Sequence, residues 1–155
     1  MSNFSGAPSA VVHQAQEEVT RVYAEIGVPL AWTARADANH QPVIHVILLP
    51  YETGDLRYTE TTVMGSAIRT SGGSAVAYAY YQRVQAQSDR YRVSAGLVLA
   101  CAIAHELGHL LLPVRSHASA GLMRACWSRD EFHRAEQGQL RFLPDEAERI
   151  RAGLQ

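Results

Sequence analysis

An apolar run from Ala95 to Ala104 leads without a break into His105-Glu106-Leu107-Gly108-His109, and Pro113 stands just beyond. The run is too short to span a bilayer. Its composition and the proline predict one long helix from about Ser94 to Leu112. On a helix, positions four apart lie one above the other, so both imidazoles project from one face and can grip a single ion. Glu106 stands about 100° around the helix from His105. From there its carboxylate reaches a water at the ion and leaves the ion to the imidazoles. Seven histidines and ten glutamates scattered through 155 residues would produce about 0.02 such motifs by chance. The plainer reading, two core histidines on a buried helix, would leave two imidazoles and a carboxylate buried without partners, which is costly.

Two histidines do not complete a catalytic zinc site, which has three protein ligands and an open position. His117 is the favoured third ligand, because Pro113 turns the chain out of the helix and lets the following loop fold back. Asp130, Glu131, His133 and Glu136 are its rivals. Glu131 has a competing role in a capping box with Ser128. Cys101, one turn before His105, reads as a small buried residue or the bridge partner of Cys126, since the histidines already set the ligand row. Two cysteines are too few for a disulfide framework; they form one bridge or two buried thiols.

The chain has the length of one domain, residues 1–155, and its 47% apolar and 19% charged residues place it among globular proteins. A net charge of −1, with fourteen scattered arginines and no lysine, gives no reason to expect nucleic acid or an anionic membrane as a partner. The segment Met1 to Pro8 does not read as a signal peptide. Ser9 to Ile26 carries apolar residues at helical spacing, with Ser9 available as a cap and Gly27 as a stop. Leu30 to Arg35 alternates like a half-buried strand, and Val43 to Leu49 reads as a central strand with His45 a hydrogen-bonded core histidine. Residues 51–74 read as loop with one short strand, Gly72-Gly73 as a turn, and Ala75 to Val84 as a strand with Val76, Tyr78 and Tyr80 on one face. Ser128 opens a short helix that Gly138 closes, and Pro144 begins a last helix with Ala147, Ile150 and Leu154 inward. Gly108, inside the long helix, suggests another backbone passing close by. The order of elements is α+β.

Met123, six residues after His117, brings a wider pattern into view. The stretch Ala104-His-Glu-Leu-Gly-His-Leu-Leu-Leu, then Ser116-His117-Ala-Ser, then Gly121-Leu-Met-Arg-Ala with Trp127-Ser128, resembles the metzincin metallopeptidases, and in particular bacterial metzincin-like proteins that are often exported. The likeness extends more weakly to the first helix, Gly65-Ser66-Ala67 and the tyrosine-rich strand. It implies a small domain with a mixed twisted sheet, an N-terminal backing helix, an active-site helix and C-terminal helices. It also implies one catalytic zinc on His105, His109 and His117, Glu106 as general base, and Met123 in a structural turn beneath the metal. The strand Ala75–Val84 would pair with extended peptide, or its tyrosines would pack under the cleft. The chain departs from the pattern at Leu112 and Arg115, where the family has glycine and histidine, so the third histidine comes two residues late. Some metzincins also have a tyrosine shortly after the methionine; Arg124, Ala125 and Cys126 offer none.

The expectation is a zinc endopeptidase acting on protein or peptide substrates. Its rivals are a catalytically inactive zinc-binding module and a zinc amidohydrolase of another class. A deformylase would need a cysteine ligand upstream of the motif, and no cysteine precedes Cys101. For the same reason no thiol from the first hundred residues can mask the metal.

Overall fold

The computed structural model describes residues 1–33, 43–52, 62–70, 74–113 and 117–154. Their elements, in order, are β1 (Ser2–Asn3), α1 (Ser9–Glu25), β2 (Ile44–Leu49), β3 (Gly65–Arg69), β4 (Ala75–Tyr80), α2 (Tyr81–Tyr91), α3 (Ala95–Leu111), α4 (Arg129–Glu136) and α5 (Pro144–Gly153). The fold is α+β. Its sheet has the order β1-β2-β4-β3, with β1, β2 and β4 parallel and β3 antiparallel at one edge.

The apolar composition of α3 dictates the arrangement. Gly96 to Gly108 and Leu110 are all buried, so the helix needs cover on every side. It finds that cover against α1, α2, α4, α5, β3 and β4. Small residues set the approach. A Cβ on Gly96 would lie 2.3 Å from Gln14 Oε1 of α1, and Ala75, Ala77 and Ala79 of β4 are buried. Tyr23 of α1 adds a directional tie, its buried hydroxyl donating to the Ala104 carbonyl at 3.0 Å. That bond ends one residue before His105.

Helix α1 closes on Gly27, whose φ of +76° suits glycine. There the amides of Gly27 and Val28 turn back to the carbonyls of Ala24 and Tyr23, each at 2.9 Å. Helix α4 opens on the expected Ser128–Glu131 capping box. Its end closes through Gly138, with φ +67°.

Several expectations are corrected. Leu30 to Thr33 forms no strand, and Ala34 and Arg35 lie outside the described residues. The reason is Trp32, whose Nε1 donates to Thr20 Oγ1 at 2.9 Å and to the Gln16 carbonyl, which holds the segment along α1 and away from the sheet. The strand from Ala75 ends at Tyr80, and residues 81–84 begin α2, where Tyr81, Val84 and Gln87 are the buried face. Ser9 is the first residue of α1, which has no side-chain cap. His45 is exposed, on the outer side of β2. Ala147 and Ile150 of α5 are buried, but Leu154, one residue past its end, is 40% exposed. The turn at Gly72-Gly73 lies outside the described residues. Among those residues, no helix is long and apolar enough to cross a membrane.

Because Tyr23 is the one side chain of α1 that bonds the backbone of α3 just ahead of the histidines, Tyr23→Phe should cost about 1 kcal/mol. Urea denaturation would measure this, and an unchanged midpoint would contradict the tie.

Candidate metal centre

The last two turns of α3 carry His105, Glu106 and His109. The ring centroids of His105 and His109 stand 4.6 Å apart. Leu112 leaves the helix in an extended conformation and Pro113 follows. The chain returns with His117, whose ring lies 5.3 Å from that of His105 and 4.9 Å from that of His109. Among the described residues these three form a group that could hold a metal ion, with one ring nitrogen from each all within 4.8 Å of one another. Bonds of about 2.1 Å in tetrahedral array require nitrogens about 3.4 Å apart. Nitrogens up to 4.8 Å apart would therefore have to draw together by at most about 1.4 Å to close on an ion.

The turn after His117 packs against His105 and forms the floor of the candidate site. The Ala118 amide donates to the Met123 carbonyl at 2.8 Å, and residues 118 and 124 form a short bridge. Within it Gly121 has φ +76°. The next carbonyl, Leu122 O, lies 2.8 Å from His105 Nδ1. A carbonyl only accepts, so Nδ1 carries the proton and Nε2 is left as the donor atom for a metal. Burial pulls the His105 pKa down to about 4, against the carbonyl bond that raises it, and His117 nearby lowers it further. The ring is thus neutral near pH 7, as a ligand must be.

Met123 is fully buried beneath the histidines. A Cβ on Gly108 would sit 2.4 Å from its Sδ and 3.1 Å from Phe142 Cε1. Gly108 therefore makes room for the methionine side chain; the nearest atoms are side-chain atoms, not the backbone expected from sequence. Gly65 serves Glu106 in the same way. A Cβ there would lie 2.6 Å from the Tyr78 carbonyl and 2.7 Å from Glu106 Cγ. The glycine lets β3 come down onto the glutamate, which is itself buried.

A cavity of about 330 Å³ lies over these groups, with Met64–Ala67 along one side and Arg124, Ala125 and Trp127 along the other. Among the described residues strand β4 is interior and β3 is the edge beside the cavity, so the expectation that residues 75–84 supply an edge strand is corrected. Tyr80 is buried, its hydroxyl 2.8 Å from Ser66 Oγ. The rivals to His117 lie elsewhere. Glu131 is buried and takes bonds from the Ser128 amide at 2.8 Å and hydroxyl at 2.7 Å, and from Arg124. Burial would raise its pKa, but these bonds outweigh it and hold the carboxyl at about 2. His133 pairs with Glu136 on α4 at 3.6 Å, and neither these two nor Asp130 joins the cluster. Both cysteines are free, Cys101 buried with its thiol pushed up to about 12 and Cys126 exposed. The expected bridge is absent, and so is the alternative of two buried thiols.

Sequence alone assigns no role to three residues that line the cavity, Gly65, Arg124 and Trp127. Trp127 meets His105 edge-on, with ring centroids 5.5 Å apart, and also packs on Phe132. Only proximity in the fold gives them a place.

The helix propensity gained by Gly108→Ala is about 1 kcal/mol, while forcing a methyl into a filled space costs about 1–3 kcal/mol. The contact with Met123 predicts a net loss of about 1 kcal/mol in thermal unfolding, and a gain would contradict the packing. The depressed Glu131 carboxyl stabilises the fold above its ordinary range, and that contribution is lost as pH falls toward about 2. Urea midpoints followed against pH should therefore drop less steeply on acidification in Glu131→Gln than in the wild type.

No family model matches this chain, and neither a curated protein nor a solved structure shows significant similarity to it.

Proposed function

We propose that this protein is a zinc-dependent peptidase. The observation that carries the reading is the convergence of His105, His109 and His117, with nitrogens within 4.8 Å of one another, in the wall of a cavity that also contains Glu106. Three imidazole nitrogens suit zinc, copper, iron or nickel. Three histidines with an open fourth position are a zinc arrangement for hydrolysis.

When bound, zinc supplies a positive charge that acidifies water and polarises a carbonyl. The chain's own groups do the rest. The Leu122 carbonyl orients His105 through Nδ1, and the buried Met123 supports the floor. Glu106 takes the proton of the attacking water on its carboxylate and returns it to the departing amine nitrogen. The outer edge of β3 offers backbone donors and acceptors along the cavity, and an extended peptide can add to it as a further strand. That mode reads backbone first, which favours a peptide over a small amide.

One observation favours a second reading, a metal-binding module without hydrolytic activity: residues 124–126 place no tyrosine at the cavity. Cleavage of a diverse peptide library by zinc-loaded protein separates the two. The peptidase reading expects hydrolysis, with Glu106→Ala lowering kcat/KM by about 10²–10⁴-fold. Full activity in that variant would remove Glu106 from its role, and no cleavage by the wild type would leave the module reading.

A further inference from the structure

The cavity wall carries one formal charge of each sign. Among its described residues Arg124 is the one permanent cation and Glu106 the one acid. Arg124 is half-exposed at 42%, and its Nη1 is held by Glu131, whose side chain is only 6% exposed. Glu131 in turn is fixed by the amide and hydroxyl of Ser128. The backbone of Arg124 is tied too, bridged to Ala118 directly after His117. The guanidinium is therefore anchored at one end by a buried carboxylate. Its remaining N–H groups donate to no other described residue, and Arg124 is part of the cavity lining. A guanidinium presents five donors in a fixed fork, and a fork anchored on one side and open on the other is pre-organised for a second carboxylate.

We infer that Arg124 is a specificity-determining residue that binds a carboxylate of the peptide lying in the cavity. This deepens the peptidase reading and rests on it for taking the ligand to be a peptide. The carboxylate comes from an acidic side chain or from a free C-terminus; both present the same two oxygens to the fork. The interaction belongs to the protein's own groups, so it operates whether or not metal is present.

Three alanine-based pentapeptides test it: one with a central glutamate and both ends blocked, one with a central glutamine and both ends blocked, and one with that glutamine and a free C-terminal carboxylate. Their affinities are measured by calorimetry on Glu106→Ala protein, zinc-loaded and metal-free, which avoids turnover. At least one carboxylate peptide should bind about ten-fold more tightly than the neutral one, and the arm that does so identifies the source. The preference should vanish in Arg124→Gln with Glu131→Gln added, a pair that leaves no buried charge unmatched. Equal affinity for all three peptides would overturn the inference without any variant being needed. A preference surviving in the double variant would also overturn it and would point across His109 to Arg69 and Arg149, which line a neighbouring cavity. A carboxylate preference here, together with a zinc-loaded wild type that cleaves no member of the peptide library, would uphold Arg124 and remove the peptidase reading.

Discussion

Helix α3 is apolar around almost its whole circumference, and it is stable only where other elements cover every side. The sheet, α1 and the C-terminal helices supply that cover. The consequence for function lies at the end of the helix. His105 and Glu106 are buried there with the rest of it, and polar groups in such a place are tolerated only with partners. The turn from His117 to Arg124 provides the first of them, because the Leu122 carbonyl meets His105 and Met123 fills the space left by Gly108. The same packing that buries the helix thus sets the imidazole geometry.

Two glycines carry more of the site than their size suggests. Gly108 admits the sulfur of Met123 under the histidines, and Gly65 admits Glu106 under the edge strand. Each is a place where a methyl group would collide with a neighbour in the candidate site. Rigidity of this kind matters for a metal centre, since ligands held by packing and outer hydrogen bonds lose little entropy when they close on an ion.

The sequence made the site legible where the chemistry is local. Helical spacing alone puts His105, Glu106 and His109 together, and the proline that ends the helix favours His117 over its rivals as the residue the loop brings back to the two histidines. The Ser128–Glu131 cap was equally readable, being a pattern over four residues. Gly65, Arg124 and Trp127 were not, because their relation to the histidines exists only after β3 and the 118–127 segment fold onto α3. The fold shows the same division. Long periodic helices were evident, but the tyrosine-rich alternation hid the step from β4 to α2, since Tyr80 and Tyr81 are both buried and belong to different elements. Trp32 misled for a related reason: its indole hydrogen bonds to α1, a tertiary contact, overrode a local strand pattern. Which strand forms the edge is likewise a property of topology that residue alternation does not encode.

On the proposed reading three histidines, one of them delivered by a loop eight residues beyond His109, hold a single ion. Metal content by plasma mass spectrometry tests it most directly, on protein purified without chelator or histidine tag and compared with His117→Ala and His133→Ala. The account predicts about one zinc per chain in the wild type and in His133→Ala, and a large loss in His117→Ala. Undiminished zinc in a folded His117→Ala protein, or none in the wild type after incubation with excess metal, would contradict it.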